Sequence, residues 1–158
     1  LVEILIVVII LGILAAIAVP KFSNGSALSH ESELKGELRF LRTQLEIYST
    51  QHQDIYPGYP SGKLGQKPSE QVMVAQLTEP TDDAGNTSTT PAGAYKWGPY
   101  LAQIPVNPMN GSRRVKILGP GEAFVADGTT GWLYEPATGE LRANVAGADS
   151  SGALFSDY

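Results

Sequence analysis

The chain has 158 residues, with 11 basic and 16 acidic side chains, a formal net charge of −5 and no cysteine. The absence of cysteine excludes a fold held together by disulfides, so the core must be stabilised by packing. The acidic excess, with basic residues scattered along the chain apart from Arg113, Arg114 and Lys116, argues against nucleic-acid binding by the chain alone.

The first element is an apolar run over residues 1–19 whose single charged side chain is Glu3. As a helix rising about 1.5 Å per residue it extends about 28 Å, close to the hydrocarbon thickness of a bilayer, which predicts a membrane span. A carboxylate inside a span costs roughly 2.5 to 3.5 kcal/mol, so Glu3 indicates a functional site that needs a partner. Three alternatives are open: a plain single-pass anchor, a Glu3 charge held in water at headgroup level, and a signal peptide, which the lack of a basic leader disfavours.

The segment LVEILIVVIILGILAAIAVP, residues 1–20, resembles the N-terminal segment of type IV pilins and type II secretion pseudopilins. The resemblance lies in an acid, a glycine and a proline at set positions of an apolar helix. It implies that Glu3 meets the N-terminal amine of a neighbouring subunit, where losing one partner of a buried pair costs about 3 to 5 kcal/mol. A role of Glu3 in the membrane alone, selecting subunits for assembly, is also open. The family's mature chains begin with a methylated Phe and a Thr, which would stand directly before Leu1.

Gly12 and Pro20 mark the weakest part of this helix, because glycine costs about 1 kcal/mol relative to alanine and proline removes a backbone donor. The resemblance implies unwinding there during assembly; a mild kink is the alternative. The assembly residues implied are Glu3, Gly12 and Pro20. The residues expected in the filament-core helix are Leu5, Val8, Leu11, Ala15 and Val19.

A second helical pattern follows, with apolar residues spaced 4, 3, 4, 3 and charged residues on the other faces. The apolar stripe consists of Leu34, Leu38, Leu41, Leu45 and Tyr48. This spacing predicts an amphipathic helix from about Ser26 to Gln51 whose stripe packs on a soluble head. A looser segment is expected at residues 23–26, where Gly25 can break the helix and Ser26 or Ser29 can cap its continuation.

The head is expected to be α+β, with the long helix packed on a three- or four-stranded antiparallel sheet. Its pattern predicts a short helix starting at Ser69 and ending before Pro80, then an exposed loop at residues 81–94. The predicted strands are 113–118, 122–126, 131–135 and 140–145, with the last two forming a hairpin. The domains are therefore residues 1–22 as span and filament core, 23–52 as amphipathic continuation, and 53–158 as globular head.

Two aromatic segments of the head, WGPYL at residues 97–101 and GWLY at residues 131–134, resemble those of major pseudopilins. We interpret them as structural packing rather than a binding site. Major pseudopilins commonly hold calcium, and the candidate ligands here are Asp127, Asp149 and Asp157. Their spacing matches no calcium loop, so surface acids are the preferred interpretation and no cofactor is expected.

No catalytic pattern is present, and His30 and His52 are expected at the surface. The sequence therefore favours a non-enzymatic structural subunit of a type IV pilus-like filament, a helical homopolymer of this chain. The alternatives are a major pseudopilin of a type II secretion system and a single-pass membrane-anchored binding module. The resemblance implies an inner-membrane assembly platform, a motor ATPase and a prepilin peptidase as partners. The expected location is the inner membrane before assembly, then a cell-surface filament or a periplasmic pseudopilus.

Overall fold

A long helix and a three-stranded sheet form the framework of the protein. The structure is a computed structural model that describes residues 1–16 and 27–158. Its elements are helices α1 (Val2–Gln51) and α2 (Glu70–Thr78) and strands β1 (Val115–Ile117), β2 (Trp132–Glu135) and β3 (Glu140–Ala143). The α+β class is confirmed. The looser segment predicted at residues 23–26, including Gly25 and Ser26, lies outside the described residues.

The core of the head lies along one face of α1. The five stripe residues of this face are at most 1% exposed: Leu34, Leu38, Leu41, Leu45 and Tyr48. They pack in one cluster with side chains of α2 and the sheet, among them Met73, Leu77, Trp132, Tyr134 and Leu141. Burying one leucine or a residue of similar size contributes about 1.5 to 3 kcal/mol, so this stripe fixes the head to the helix.

Helix α2 begins and ends where its sequence predicts. The Ser69 side chain accepts a hydrogen bond from the backbone N–H of Val72 at 3.3 Å, which caps the first turn. Pro80 follows the last residues of α2, and the residue before a proline is disfavoured in the helical conformation. The buried residues of α2 are Met73, Gln76 and Leu77, which face the core.

Strands β2 and β3 form the predicted hairpin, with Trp132 opposite Ala143 and Glu135 opposite Glu140. The turn between them requires Gly139, whose φ is +75°. A Cβ at this position would lie 2.4 Å from the Tyr56 ring. Only glycine therefore fits between this turn and the loop after α1.

The sheet is mixed rather than antiparallel throughout, because β1 runs parallel to β2 with Val115 beside Trp132. A parallel neighbour needs a long return connection, and residues 118–131 provide it. Residues 122–126, predicted as a strand, lie in this connection and pair with no strand. That prediction was wrong. A strand needs a neighbouring strand with free backbone groups, and the local pattern of apolar residues does not show whether one lies beside residues 122–126.

Candidate assembly interface

The N-terminal part of α1 exposes apolar side chains on all its sides. Leu5, Val8 and Leu11 are each 59% exposed, and Ala15 is exposed as well. A helix that is apolar all round is ordinarily buried in a core, a membrane or an assembly, because water disfavours a continuous apolar surface of this size. Within residues 1–16 and 27–158, no helix has a stretch of sufficient length and apolarity to cross a membrane.

Glu3 lies in the first turn of α1 and is exposed. Its carboxylate stands at the positive end of the helix dipole, which favours an anion there. Among the described residues of the single chain, Glu3 has no ion-pair partner. A Cβ added at Gly12 would meet no atom within 4 Å, so a neighbour could approach the helix closely. Val19 and Pro20 lie outside the described residues.

The C-terminal segment, residues 147–158, binds α1 between residues 31 and 42 and so holds this part of the helix against the head. We call this segment the clasp. Lys35 Nζ lies 3.1 Å from Asp149 Oδ2, and Glu31 accepts hydrogen bonds from the backbone and hydroxyl of Ser150. Arg42 donates to the carbonyls of Leu141 and Tyr158. Hydrogen bonds to Asp149 from Ser151, Tyr158 and Lys35 hold the pKa of that carboxyl well below its usual range. The head is therefore fixed to one side of α1.

The candidate calcium ligands lie in separate networks. Asp127 Oδ2 lies 2.9 Å from Lys116 Nζ, while its Oδ1 accepts hydrogen bonds from Thr129 and from Asn144 Nδ2. The Lys116 hydrogen bond is the main reason that the pKa of Asp127 is well below its usual range. Asp149 pairs instead with Lys35 of α1, and Asp157 lies 3.8 Å from Arg142.

The three carboxylates do not come together in one site, whereas calcium takes six to eight oxygen ligands in one place. Asp127 and Asp149 accept hydrogen bonds from lysine and from other donors. Across residues 1–16 and 27–158, no three acidic or histidine side chains converge on one point.

Several buried polar residues organise the head, and their burial is not predicted from the sequence. Gln76, 1% exposed, accepts from the Gly58 N–H and donates to the carbonyls of Tyr59 and Gly85. Asn144, fully buried, accepts from the N–H groups of Asp127 and Gly128. The burial of Gln76 had a signal in the sequence, because this glutamine lies beside Met73 and Leu77 on the apolar face of α2. No comparable pattern marks Asn144.

His52 corrects a prediction, because it is buried rather than at the surface. Its ring stacks on Tyr48 with centroids 3.9 Å apart. Its nitrogens lie 2.8 Å from the Tyr48 carbonyl oxygen and 3.0 Å from Thr81 Oγ1. His30, by contrast, is exposed, as predicted. His52 therefore links the C-terminal end of α1 to the loop that contains Thr81.

The aromatic side chains of residues 97–101 and 131–134 hold neighbouring loops in place by hydrogen bonds. The Trp97 indole donates to Asp83 at 2.7 Å, and the Trp132 indole donates to the Pro105 carbonyl at 3.1 Å. The Tyr134 hydroxyl donates to the Pro57 carbonyl at 2.9 Å. Each ring is thus tied to a loop that lacks regular backbone pairing.

The comparison with known proteins identifies the family. The chain is 32% identical over 121 residues to type II secretion system core protein G of Pseudomonas aeruginosa, covering 77% of this chain and 72% of that protein. The chain belongs to the pilin and pseudopilin family. The family recognition made from the sequence is thereby confirmed, although no family model and no solved structure matches the sequence. Within this family, the relative supports the pseudopilin alternative, and the type IV pilus as main interpretation is not confirmed.

Proposed function

We propose that this protein is a structural subunit of a periplasmic pseudopilus in a type II secretion system. The relative is a core protein of such a system, and the two chains match over most of their lengths. A structural rather than catalytic role agrees with this assignment. The observation that carries the proposal is the exposed apolar surface of residues 1–16 beside a head whose own core is closed.

Assembly through α1 follows from this asymmetry. Before polymerisation the apolar helix is held in the inner membrane, and afterwards it is buried among the same helices of neighbouring subunits. Glu3 then meets the N-terminal amine of a neighbour, which compensates the cost of burying its charge. Gly12 and Pro20 allow the helix to adjust between the two environments. The platform, the motor ATPase and the prepilin peptidase supply processing and extrusion.

The proposal is tested by complementing a strain that lacks the gene. We expect the deletion to leave secreted proteins in the periplasm and the wild-type gene to restore their export. Glu3→Ala should fail to restore it, because the neighbour's amine would be buried without a partner. Glu122→Ala, which changes an exposed acid of the head, is the matched control and should restore export.

Two results would contradict the proposal. Normal secretion in the deletion strain, with loss of surface filaments or of surface motility, would favour the pilus. Export restored by Glu3→Ala without any filament would favour the anchored binding module.

A further inference from the structure

The side of α1 that faces away from the head carries no charge over residues 29–47. Six exposed residues form this neutral strip: Ser29, Ser32, Gly36, Phe40, Thr43 and Ile47. At about 100° per residue they lie opposite the buried leucine stripe. A helix face that remains in water ordinarily carries the charged residues. Here that face instead holds Phe40 and Ile47, which are 47% and 40% exposed.

Between residues 33 and 39 the two borders of the neutral strip have opposite charges, with Arg39 on one border and Glu33 and Glu37 on the other. Glu46, two turns beyond Arg39 on the same border, accepts a hydrogen bond from the Tyr56 hydroxyl at 2.8 Å. In the part of the chain that the structure describes, neither Arg39 nor Glu37 forms an ion pair. Glu33 meets only the exposed His30, at 3.7 Å. The basic residues Lys35 and Arg42 are held by the clasp and by β3, so Arg39 is the cation of this surface.

This arrangement of charge selects the direction of a neighbouring copy. Two copies of α1 that run parallel and face each other across the strip place the Arg39 border of one beside the glutamate border of the other. Antiparallel copies place Arg39 beside Arg39 and glutamate beside glutamate, which is repulsive. Arg39 is two residues from Glu37 and six from Glu33, so axial offsets of about 3 to 9 Å bring the charges level.

The neutral strip also belongs to the same helix as the exposed apolar residues 1–16. Any packing of those residues in parallel bundles therefore sets neighbouring strips parallel as well. With such an axial offset, Arg39 of one copy is level with a glutamate of the other while the reverse pair is out of register, so the contact is heterologous and can continue as an open filament.

We propose that the neutral strip is a second subunit contact, in which Arg39 of one copy pairs with Glu33 and Glu37 of a parallel neighbouring copy. The contact rests on the proposed function, since it requires copies assembled through α1. It extends the assembly interface from the apolar N-terminal residues to the part of α1 that packs on the head. It also gives subunit association a dependence on salt, which the apolar contacts lack.

The test is a charge exchange in the full-length protein, with filament yield measured by electron microscopy. Arg39→Glu alone, and Glu33→Arg with Glu37→Arg, should each reduce filaments about tenfold or more, a loss of about 1.4 kcal/mol per contact. The triple variant should restore them. Arg113→Glu, a charge reversal in the head, is the control and should assemble normally. Unchanged yield in Arg39→Glu, or no restoration in the triple variant, overturns the contact.

A second measurement does not depend on yield. The chain has no cysteine, so Ser32→Cys on the side of the strip next to Arg39, with Ser29→Cys on the side next to Glu33, can be joined by a short bismaleimide without background, and the paired charges stay in place. We expect a ladder beyond the dimer from filaments of this variant and monomers from Ser32→Cys alone. Dimers from Ser32→Cys alone would show like borders in contact and overturn the contact. An unmodified chain that forms no filament would overturn the proposed function instead.

Discussion

At the scale of single residues, Phe40 and Leu41 are neighbours on α1 with opposite surroundings. Leu41 is 1% exposed in the core, whereas Phe40 is 47% exposed on the outer face. We expect Leu41→Ala to lower the free energy of unfolding by about 2 to 5 kcal/mol, because it leaves a cavity. Phe40→Ala should change it by less than about 0.5 kcal/mol.

Urea unfolding followed by the fluorescence of the buried Trp132 measures both variants. Equal losses of stability would contradict the assignment of the two faces. For assembly we expect Phe40 to matter, because it lies in the neutral strip. Phe40→Ala should reduce the yield of filaments while the head remains stable.

Glu70 links α2 to β1 and gives the head an acid-sensitive contact. Its carboxylate accepts hydrogen bonds from Arg114 Nε and from the Val115 N–H, at 3.0 and 2.9 Å. Partial burial raises the pKa of Glu70, but these two hydrogen bonds outweigh it and the pKa is lowered. A carboxyl with a depressed pKa stabilises the fold above its unfolded pKa, about 4.3, and loses that contribution as the pH falls through the folded value.

We therefore expect Glu70→Gln to lower stability at pH 7 by about 1 to 2 kcal/mol. The difference from wild type should shrink as the pH falls from about 5 to about 3. Glu37→Gln, which removes an acid without an ion pair among the described residues, is the control and should change stability little at any pH. A constant difference between Glu70→Gln and wild type over this range would disprove the ionic role. Thermal unfolding at a series of pH values measures it.

At the scale of elements, Arg42 joins α1 to the clasp and to β3. This half-buried guanidinium donates to the carbonyl of Leu141 on β3 and to that of Tyr158. We expect Arg42→Met to cost about 1 to 3 kcal/mol, since these carbonyls lose their donor. Hydrogen exchange should accelerate at the amides of residues 147–157, including Gly152, which donates to the Asp149 carbonyl. Arg39→Met, which removes an outward cation, should leave that exchange unchanged.

The helices of the head could be predicted because their signals are local. The 4, 3, 4, 3 leucine spacing predicts the buried face of α1, and Ser69 before a short apolar pattern predicts the start of α2. The hairpin was predictable for the same reason, since β2 and β3 are joined by a turn that needs Gly139.

What the sequence could not predict depends on distant parts of the chain. The direction of β1 depends on where residues 118–131 cross, and no local pattern encodes that path. The burial of His52 depends on Thr81, and that of Asn144 on residues 127 and 128. The assembly roles of Gly12 and Pro20 rest on the family resemblance. The charge of the strip's borders depends on distant contacts, because Lys35 is held by the clasp and Arg42 by the clasp and β3.

At the scale of the whole molecule, a head with a fully buried core is joined to a helix whose N-terminal part exposes apolar side chains. The head satisfies its own core and buried polar groups, so nothing in its interior requires a partner. Residues 1–16 cannot do the same, because their apolar side chains point in all directions. In the filament that we propose, the head would form the outer surface and α1 would supply the association.

Immunogold electron microscopy of cells, in thin section and after shearing, tests this account most directly. With the gene at its native level, we expect label for the head within the periplasm and no long labelled filaments in the sheared fraction. In cells that carry Glu3→Ala, label should be confined to the inner membrane without any periplasmic filament. Long labelled filaments sheared from cells at native levels, or periplasmic filaments in the Glu3→Ala strain, would contradict the account.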